Sequence, residues 1–243
     1  MVLLKTDPVV LVTGGARRIG EALVRALHAK HFRVVIHCHR SRLQAWELAD
    51  ALQQVRPGSA TVVEGDLNDV SLLSGLVDQA AQWGGRLDAL INNASVFGRD
   101  DSEWDWFFNV NARAPFLLSH AAYPHLAKQQ GSIVNITDIH AEKPLKGYAV
   151  YCQSKAALAL QTKALAREFA PRVRVNAVAP GAILWPEHDN QLGDLLKQEI
   201  ITKTPLQRHG DPRFIAQAMF MFLENPFVTG QSLKVDGGRS LGS

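Results

Sequence analysis

The sequence predicts an α/β fold, a doubly wound parallel sheet of seven strands with helices on both faces. Two observations support this class. Short, continuous apolar runs alternate with stretches of ten or more residues that show the apolar spacing of a helix. Unusual polar residues follow the ends of most of these runs, where parallel sheets bind ligands. No linker, repeat or low-complexity tract interrupts the pattern, so we expect one domain over residues 1–243.

The first half of the chain begins with a strand, a glycine turn and a helix. The Val-rich run Pro8–Val12 is followed by a turn at Thr13–Gly20 and by a helical stripe that starts at Ile19. The pattern then predicts a strand at Phe32–Ile36, a helix at Leu43–Leu52, a strand at Ala60–Val63, a helix at Val70–Trp83 and a strand at Leu87–Ile91. This order is the opening of a dinucleotide-binding unit.

A long helical region from about Ser102 to Ala127 opens the second half, with expected breaks at Pro115 and Pro124. The pattern then predicts a strand at Ser132–Ile136, a helix at Tyr148–Ala170, a strand at Val173–Val178 and a strand at Gln231–Val235. Between the last two strands, the chain over about 183–210 is polar and has no strand pattern. We interpret it as an insertion that covers the sheet edge and serves as a substrate loop.

Composition narrows the class of protein. With 243 residues, 47% hydrophobic and 20% charged, the chain can bury a sizeable core. Its net charge is +3, without long runs of Lys or Arg, so we expect neither a nucleic-acid partner nor a membrane partner. The two cysteines, Cys38 and Cys152, lie in unrelated contexts, which favours a reducing compartment. Residues 1–7 have no targeting pattern and no stretch is long enough to span a membrane, so we expect a cytoplasmic protein.

The turn at Thr13–Gly20 has the residues needed to bind a pyrophosphate. Gly14 and Gly20 lack side chains where a phosphate must approach the backbone, and the following helix N-terminus supplies N–H donors. The alternative is an ordinary glycine turn of an α/β protein. The preceding strand and the following helix favour cofactor binding.

The end of the second strand indicates which dinucleotide binds. An NAD site places Asp or Glu there, whereas the 2′-phosphate of NADP needs cations and hydroxyls. Residues 37–42 read His-Cys-His-Arg-Ser-Arg, with no carboxylate before Glu47, so the sequence favours NADP(H). Two alternatives stay open: Arg40 and Arg42 belong to a solvated loop, or His37 and His39 are metal ligands. We expect no metal, because no third ligand lies close in sequence.

Tyr151 and Lys155 lie four residues apart on one face of the predicted helix from Tyr148. A cation beside a phenol favours the phenolate, so this pair is expected to exchange a proton near neutral pH. Such a pair suits proton transfer to a carbonyl or an imine. Taken alone, the spacing favours an amphipathic surface pair, because it arises often by chance.

Together these motifs resemble the short-chain dehydrogenase/reductase family from about Val9 to Gly238. The resemblance lies in the Thr-Gly-x-x-x-x-x-Gly turn at Thr13–Gly20, Asp66 in Gly-Asp-Leu, Asn92-Asn93-Ala94, Asn111 in Asn-Val-Asn, Tyr151-x-x-x-Lys155, Pro180-Gly181, Thr229-Gly-Gln and Val235-Asp-Gly-Gly. It implies a seven-stranded Rossmann-type sheet. It also implies that Tyr151 is the acid/base, that Lys155 binds the nicotinamide ribose and lowers the pKa of the tyrosine, that Asn111 holds a relay water, and that Asp66 contacts the adenine.

Three departures from the common family pattern are informative. Most relatives have Gly at the positions of Arg18 and Ser95, and a catalytic Ser thirteen residues before the tyrosine, where this chain has Asp138. All three changes recur in pteridine reductases. The segments His37-x-His39-Arg40-Ser41 and Asn93-Ala94-Ser95-x-Phe97 are similar to that subgroup as well. The resemblance therefore implies chemistry on reduced pterins.

These residues suit a flat substrate rich in donors and acceptors. Phe97 is expected to stack the pterin against the nicotinamide, while Arg18 and Ser95 reach its polar edge and the cofactor phosphates. Asp138 is expected to hydrogen-bond Tyr151 and to supply or relay a proton to a ring nitrogen. The alternative is that Asp138 caps the next turn and Thr137 stands in for the missing Ser. Trp185 is expected either to wall the pocket or to lie exposed in a flap or at a subunit contact.

We thus predict an NADPH-dependent pteridine reductase that acts on dihydropterins or oxidised pterins, with dihydrofolate as a further substrate to test. The alternatives are a general carbonyl reductase for 3-oxoacyl thioesters or sugars, and a non-catalytic NADP-binding sensor. The predicted catalytic residues are Asp138, Tyr151, Lys155 and Asn111. The predicted cofactor-binding residues are Gly14, Arg17, Arg18, Ile19, Gly20, His37, His39, Arg40, Ser41, Asp66, Leu67, Asn93, Ala94, Ser95, Lys155, Pro180 and Gly181. The predicted substrate-binding residues are Arg18, Ser95, Phe97, Asp138, Tyr151 and Trp185.

The helix from Tyr148 has two apolar faces. One carries Leu158, Leu165 and Phe169, and the other carries Ala157, Leu160 and Ala164. Since the sheet covers one face only, the second face predicts a symmetric subunit interface. The family resemblance implies a homotetramer. The alternative is that the preceding helical region covers this face within one chain.

Overall fold

The computed structural model of the protein describes residues 7–99, 103–185 and 191–242. Its strands are β1 (Val9–Val12), β2 (Arg33–Cys38), β3 (Ala60–Glu64), β4 (Ala89–Asn92), β5 (Ser132–Ile136), β6 (Arg174–Pro180) and β7 (Ser232–Val235). They form one parallel sheet in the order β3-β2-β1-β4-β5-β6-β7. The chain order reverses between β1 and β4, which opens a crevice at their carboxyl ends.

The helices are α1 (Arg18–Ala29), α2 (Arg42–Val55), α3 (Leu73–Gly84), α4 (Trp104–Phe108), α5 (Ala114–Gln129), α6 (Ala149–Phe169), α7 (Asp194–Thr202) and α8 (Pro212–Glu224). Two separate apolar clusters show how they cover the sheet. One cluster joins the strands to α1, α2 and α8, and the other joins them to α3, α5 and α6. The predicted fold class, a parallel seven-stranded sheet with helices on both faces, is therefore confirmed.

The arrangement explains why the central strands are apolar throughout. All four residues of β1 are fully buried: Val10 and Val12 pack on the α1 side, and Val9 and Leu11 on the α3 side. Successive side chains of a strand point to opposite faces, so a strand covered on both faces has no polar alternation.

The predicted helical region from Ser102 to Ala127 is divided. Ser102 lies outside the described residues. A π-helical segment, Asn109–Arg113, joins α4 to α5. Pro115 lies in the first turn of α5, where no backbone donor is required, whereas Pro124 lies inside α5 without ending it. The expected break at Pro124 is therefore wrong.

Two helices lie where the sequence analysis expected none. Helix α7 occupies part of the predicted insertion, of which residues 186–190 lie outside the described ranges. Asp211 caps the N-terminus of α8, since its carboxylate accepts a hydrogen bond from Arg213 N, and Pro212 lies in the first turn. Its buried residues Ile215, Met219 and Phe222 have helical spacing, so the sequence did contain a sign of this helix.

No helix in the described ranges is both long and apolar enough to cross a bilayer.

Candidate active site

The carboxyl ends of the strands bring the predicted residues to one cavity of about 730 Å³. Several elements contribute to it: the N-terminus of α1, the segments after β4, β5 and β6, the start of α6, and α7. The predicted residues in its lining are Arg18, Ile19, Asn93, Ser95, Phe97, Asp138, Tyr151, Lys155, Pro180, Gly181 and Trp185. The predicted catalytic and substrate-binding residues, Asn111 excepted, thus lie around one space.

Asp138 and Tyr151 form a direct hydrogen bond. Tyr151 Oη donates to Asp138 Oδ2 over 2.6 Å. The other carboxylate oxygen, Oδ1, accepts from His140 N over 2.8 Å and caps the short 3₁₀ turn Ile139–Ala141. Asp138 therefore makes both contacts that the sequence left open, one with each oxygen, while its part in proton transfer stays a prediction. Thr137 Oγ1 is buried and donates to Val178 O, so Thr137 does not replace the family's serine beside the tyrosine.

Lys155 is fully buried beside this pair, and its Nζ donates to Ile136 O over 3.0 Å. Burial lowers the pKa of Lys155 to about 8, and the charge of Asp138 acts in the opposite direction. Burial, together with the charge and hydrogen bond of Asp138, raises the pKa of Tyr151 well above its ordinary value. The predicted lowering of this pKa by Lys155 stays a prediction, because burial and Asp138 act in the opposite direction. The phenol is protonated at neutral pH and can act as a proton donor.

Asn111 lies in the π-helical segment between α4 and α5. Its side chain accepts from Val96 N over 2.9 Å and donates to Val96 O and Ser154 Oγ, each over 3.0 Å. Ser154 Oγ in turn donates to Tyr151 O. Asn111 therefore fastens the segment before Phe97 to α6, and its relay of a water molecule stays a prediction.

An aromatic wall faces the cavity. The Phe97 ring stacks on Tyr148 at 4.7 Å and meets the Tyr151 ring edge-on at 4.8 Å. Tyr148 Oη accepts a hydrogen bond from Arg99 Nε over 2.9 Å. The sequence analysis missed Tyr148, although an aromatic residue three positions before Tyr151 could have indicated it.

The glycine turn is held closely against the end of β4. A Cβ at Gly20 would lie 2.0 Å from Gly14 O, and Gly14 itself has a φ of +59°. Asn93 Nδ2 donates to Thr13 O and Gly14 O, and Thr13 Oγ1 accepts from the backbone N–H groups of Asn93 and Ala94. Thr13, which we had not assigned to the site, thus fixes the turn whose open N–H groups suit a phosphate.

The side chain of His37 also holds the glycine turn in place. Its side chain is buried, Nδ1 accepts from Gly14 N over 3.2 Å, and Nε2 donates to Gly65 O over 3.1 Å. Burial lowers its pKa to about 4, so the ring is neutral. Both ring nitrogens are occupied, which leaves no lone pair for a metal. Within the described ranges, no group of three His, Cys, Asp or Glu residues could hold a metal ion.

This burial predicts a pH dependence of folding. His37 titrates near 6.5 when unfolded and at about 4 when folded, so the unfolded chain binds more protons between these values. Its contribution, about 3 kcal/mol, is fully present above pH 6.5 and is lost as the pH falls through 4. In urea unfolding, the stability of His37→Asn should fall less over this pH range than that of the native protein. The stability of the exposed control His39→Asn should fall as much as that of the native protein. Equal pH slopes for all three proteins would contradict the assignment.

Arg18 links the glycine turn to the substrate loop. It has a left-handed φ of +56°, a conformation that favours glycine, which is the residue that the family resemblance implies here. Its Nη2 donates to Trp185 O over 3.0 Å. The Trp185 ring packs on His209 at 4.4 Å and lines the cavity, which supports the interpretation of Trp185 as a pocket wall.

The remaining predicted residues lie near the ends of β2 and β3. His39 Nδ1 is 3.7 Å from Asp66 Oδ1, and Arg40 is exposed. The side chain of Leu67 is in the core, so it can offer a cofactor only its backbone. Ser41 lies at the N-terminus of α2. Ala94 packs against the glycine turn. Arg17 lines a separate shallow cavity between α1 and α2.

Comparison with known proteins shows the family to which the chain belongs. The sequence model of a family described as enoyl-(acyl carrier protein) reductase matches residues 14–240. The chain belongs to the short-chain dehydrogenase/reductase family and is an oxidoreductase.

Individual relatives have different substrates. Pteridine reductase 1 of Leishmania tarentolae is 34% identical, over 97% of this chain and 97% of its own length. The 3-oxoacyl-(acyl-carrier-protein) reductase of Thermotoga maritima is 33% identical, over 95% of this chain and 96% of its own. The crystal structure of FolM alternative dihydrofolate reductase 1 from Brucella canis, complexed with NADP, has a TM-score of 0.90 at 37% identity, and covers 98% of this chain and 96% of that one. The substrate must therefore be argued from the site.

Proposed function

We propose that the protein is an NADPH-dependent pteridine reductase that reduces dihydropterins or oxidised pterins to the tetrahydro form. The observation that carries this proposal is the 2.6 Å hydrogen bond between Tyr151 and Asp138. A serine at position 138 would only hold a substrate oxygen, whereas a carboxylate can take part in proton transfer to a ring nitrogen. Similarity to a pteridine reductase and to a dihydrofolate reductase supports this choice, and dihydrofolate is a further substrate to test.

The residues present suit NADPH. The glycine turn has no room for side chains, the N-terminus of α1 follows it, and the end of β2 offers His39, Arg40 and Ser41 with no carboxylate. A similar structure contains NADP. When bound, NADPH supplies the hydride. Lys155 would bind the nicotinamide ribose, and Arg40 and Ser41 the 2′-phosphate.

Side chains of the protein then supply the proton. Tyr151 and Asp138 deliver one proton to the ring nitrogen next to the carbon that receives the hydride, and they regain it from solvent. The buried ammonium of Lys155 stabilises negative charge that develops on Tyr151. Phe97 supplies a flat apolar surface for the pterin, and Trp185 lines the same cavity.

Arg40 should govern the choice of cofactor. Arg40→Ala removes a cation expected at the 2′-phosphate, so the KM for NADPH should rise about tenfold to a hundredfold while the KM for NADH stays unchanged. Steady-state kinetics with both cofactors measures this. Arg42→Ala is the matched control, because Arg42 pairs with Glu64 over 2.6 Å. Equal changes in the KM for NADH and the KM for NADPH in Arg40→Ala would contradict the proposed site.

We also propose that the chain is one catalytic domain that assembles as a homotetramer. Among the residues that the structure describes, part of the second apolar face of α6 is open to solvent: Leu160 is 69% exposed and Ala164 is exposed as well. The alternative that the preceding helix covers this face is therefore wrong for these two residues. A subunit interface would bury them.

Leu160→Glu tests the assembly. A carboxylate at a buried subunit contact costs several kcal/mol, so light scattering should show a mass below that of the native oligomer. Val55→Glu, at an exposed position on α2, should leave the mass unchanged. A native mass near the 26.7 kDa monomer would refute the interface.

One assay separates the candidate functions. With NADPH, the protein should reduce 7,8-dihydrobiopterin, measured as loss of absorbance at the nicotinamide band. Turnover of acetoacetyl thioester alone would establish the second candidate, a carbonyl reductase, which similarity to a 3-oxoacyl reductase favours. Turnover of neither substrate, together with tight NADPH binding, would favour a non-catalytic sensor.

A further inference from the structure

The C-terminal turn places an arginine in the cavity. Arg239 lines the same space as Asp138, although it lies about a hundred residues away in sequence. It begins a short 3₁₀ turn directly after β7 and two glycines, Gly237 and Gly238, with φ of +64° and +86°. The sequence analysis assigned no role to this residue.

The turn that presents Arg239 is rigidly built. The carboxylate of Asp236 accepts hydrogen bonds from Gly238 N over 2.9 Å and from Ser240 N over 2.8 Å. A Cβ at Gly238 would lie 2.9 Å from Pro205 Cγ, so the turn packs closely on the end of the substrate loop. Such support is what a side chain with a fixed direction needs.

The same turn is fastened to the loop that carries Asp138. Lys143 Nζ donates to Gly242 O, and Lys234 forms an ion pair with Glu142 over 2.6 Å. Residues 138–143 and the C-terminal turn are therefore held side by side, with Arg239 on the cavity side.

The guanidinium of Arg239 has N–H donors that are available to a ligand. Within the described part of the chain, it makes no hydrogen bond and has no carboxylate within 4 Å. It is half-buried, and burial lowers its pKa while the charges of Asp138 and Asp236 act in the opposite direction. The five N–H groups of this half-buried guanidinium are therefore available to hydrogen-bond a ligand.

The charge of the cavity favours an acceptor-rich ligand. Of the described residues that line it, six are positively charged and two, Asp138 and Glu199, are negatively charged. Glu199 is itself paired with Lys203 over 2.6 Å. Asp138 is engaged by Tyr151, so Arg239 is a cation directed at whatever ligand enters beside this pair.

We propose that Arg239 is a substrate-binding residue that donates hydrogen bonds to an oxygen acceptor of the pterin, on the side of the ring that faces Asp138. This inference rests on the proposed pteridine reductase function. Two sources offer such an oxygen: the ring carbonyl and the hydroxylated side chain. Arg239 orients the ring so that its reducible carbon–nitrogen bond lies beside Tyr151.

Steady-state kinetics of Arg239→Met tests this role. The KM for 7,8-dihydrobiopterin should rise about tenfold to a hundredfold, because hydrogen bonds to a charged group are lost. The KM for NADPH and the thermal midpoint should stay near the native values. An equal rise with 6-methyl-7,8-dihydropterin, which has no side-chain oxygen, identifies the ring carbonyl as the acceptor. A rise in the KM for dihydrobiopterin alone identifies the side-chain oxygen of the substrate as the acceptor.

Arg208→Met is the matched control, since Arg208 is exposed, packs on Phe214 and does not line the cavity. An unchanged KM for both dihydropterins in Arg239→Met would overturn the inference while the proposed function stands. A parallel rise in the KM for NADPH with a lower thermal midpoint would overturn it as well, because it indicates a structural role. If Arg239→Met does not fold, Arg239→Gln gives the same comparison. Failure of the native enzyme to reduce either dihydropterin would remove both the proposed function and this inference.

Discussion

Tyr151→Phe is expected to lower kcat for dihydropterin reduction about 10² to 10⁴-fold, the usual contribution of a positioned proton donor. The substitution removes only the hydroxyl that donates to Asp138 over 2.6 Å. The ring keeps its edge contact with Phe97, so substrate stacking is preserved. Stopped-flow measurement of NADPH oxidation reports the loss, and NADPH fluorescence should show that cofactor binding is retained.

Tyr123→Phe is the control for this experiment. Tyr123 packs on Phe169 in the apolar cluster of α3, α5 and α6, does not line the cavity, and should leave kcat unchanged. If Tyr151→Phe oxidises NADPH at the native rate, the phenol is not the proton donor, and the result would favour the non-catalytic alternative.

Asp138→Asn should lower kcat for dihydropterins about 10² to 10³-fold, because a neutral amide cannot accept and pass on the proton. The side chain keeps its shape, and its oxygen can still accept a hydrogen bond. Since the charge of Asp138 raises the pKa of Lys155, removing it should lower that pKa below about 8. The alkaline limb of the pH profile of kcat should therefore move to lower pH.

Asp50→Asn, on the exposed side of α2, is the matched carboxylate control and should show neither change. Native turnover of dihydropterin by Asp138→Asn, with an unmoved pH profile, would show that the carboxylate serves only to cap the turn at His140 N.

Periodicity and strand-end residues were sufficient to predict the fold. The β1 residues are apolar on both faces because two helical layers cover them, and this pattern can be read without coordinates. The interior Pro124 was misleading because tertiary packing tolerates one missing hydrogen bond in α5. Helix α8 was overlooked because no element was assigned between the predicted insertion, which ends at about residue 210, and the strand at Gln231–Val235.

The site could be predicted only in part. The thirteen-residue spacing located Asp138 beside Tyr151, but it could not show that each carboxylate oxygen has its own partner. His37 was expected to touch the cofactor, whereas burial turns its ring toward Gly14 N and Gly65 O. Arg239 is remote in sequence and joins the site through the close packing of a turn. Such long-range contacts have no local sequence pattern.

A crystal structure of the protein with NADP and a bound pterin tests the central claim most directly. We expect a ring nitrogen within hydrogen-bond distance of Tyr151 Oη, with the carboxylate of Asp138 still paired to that hydroxyl and the ring against Phe97. A pterin bound with its ring nitrogens away from Tyr151, or an Asp138 side chain that points away from the phenol, would contradict the account.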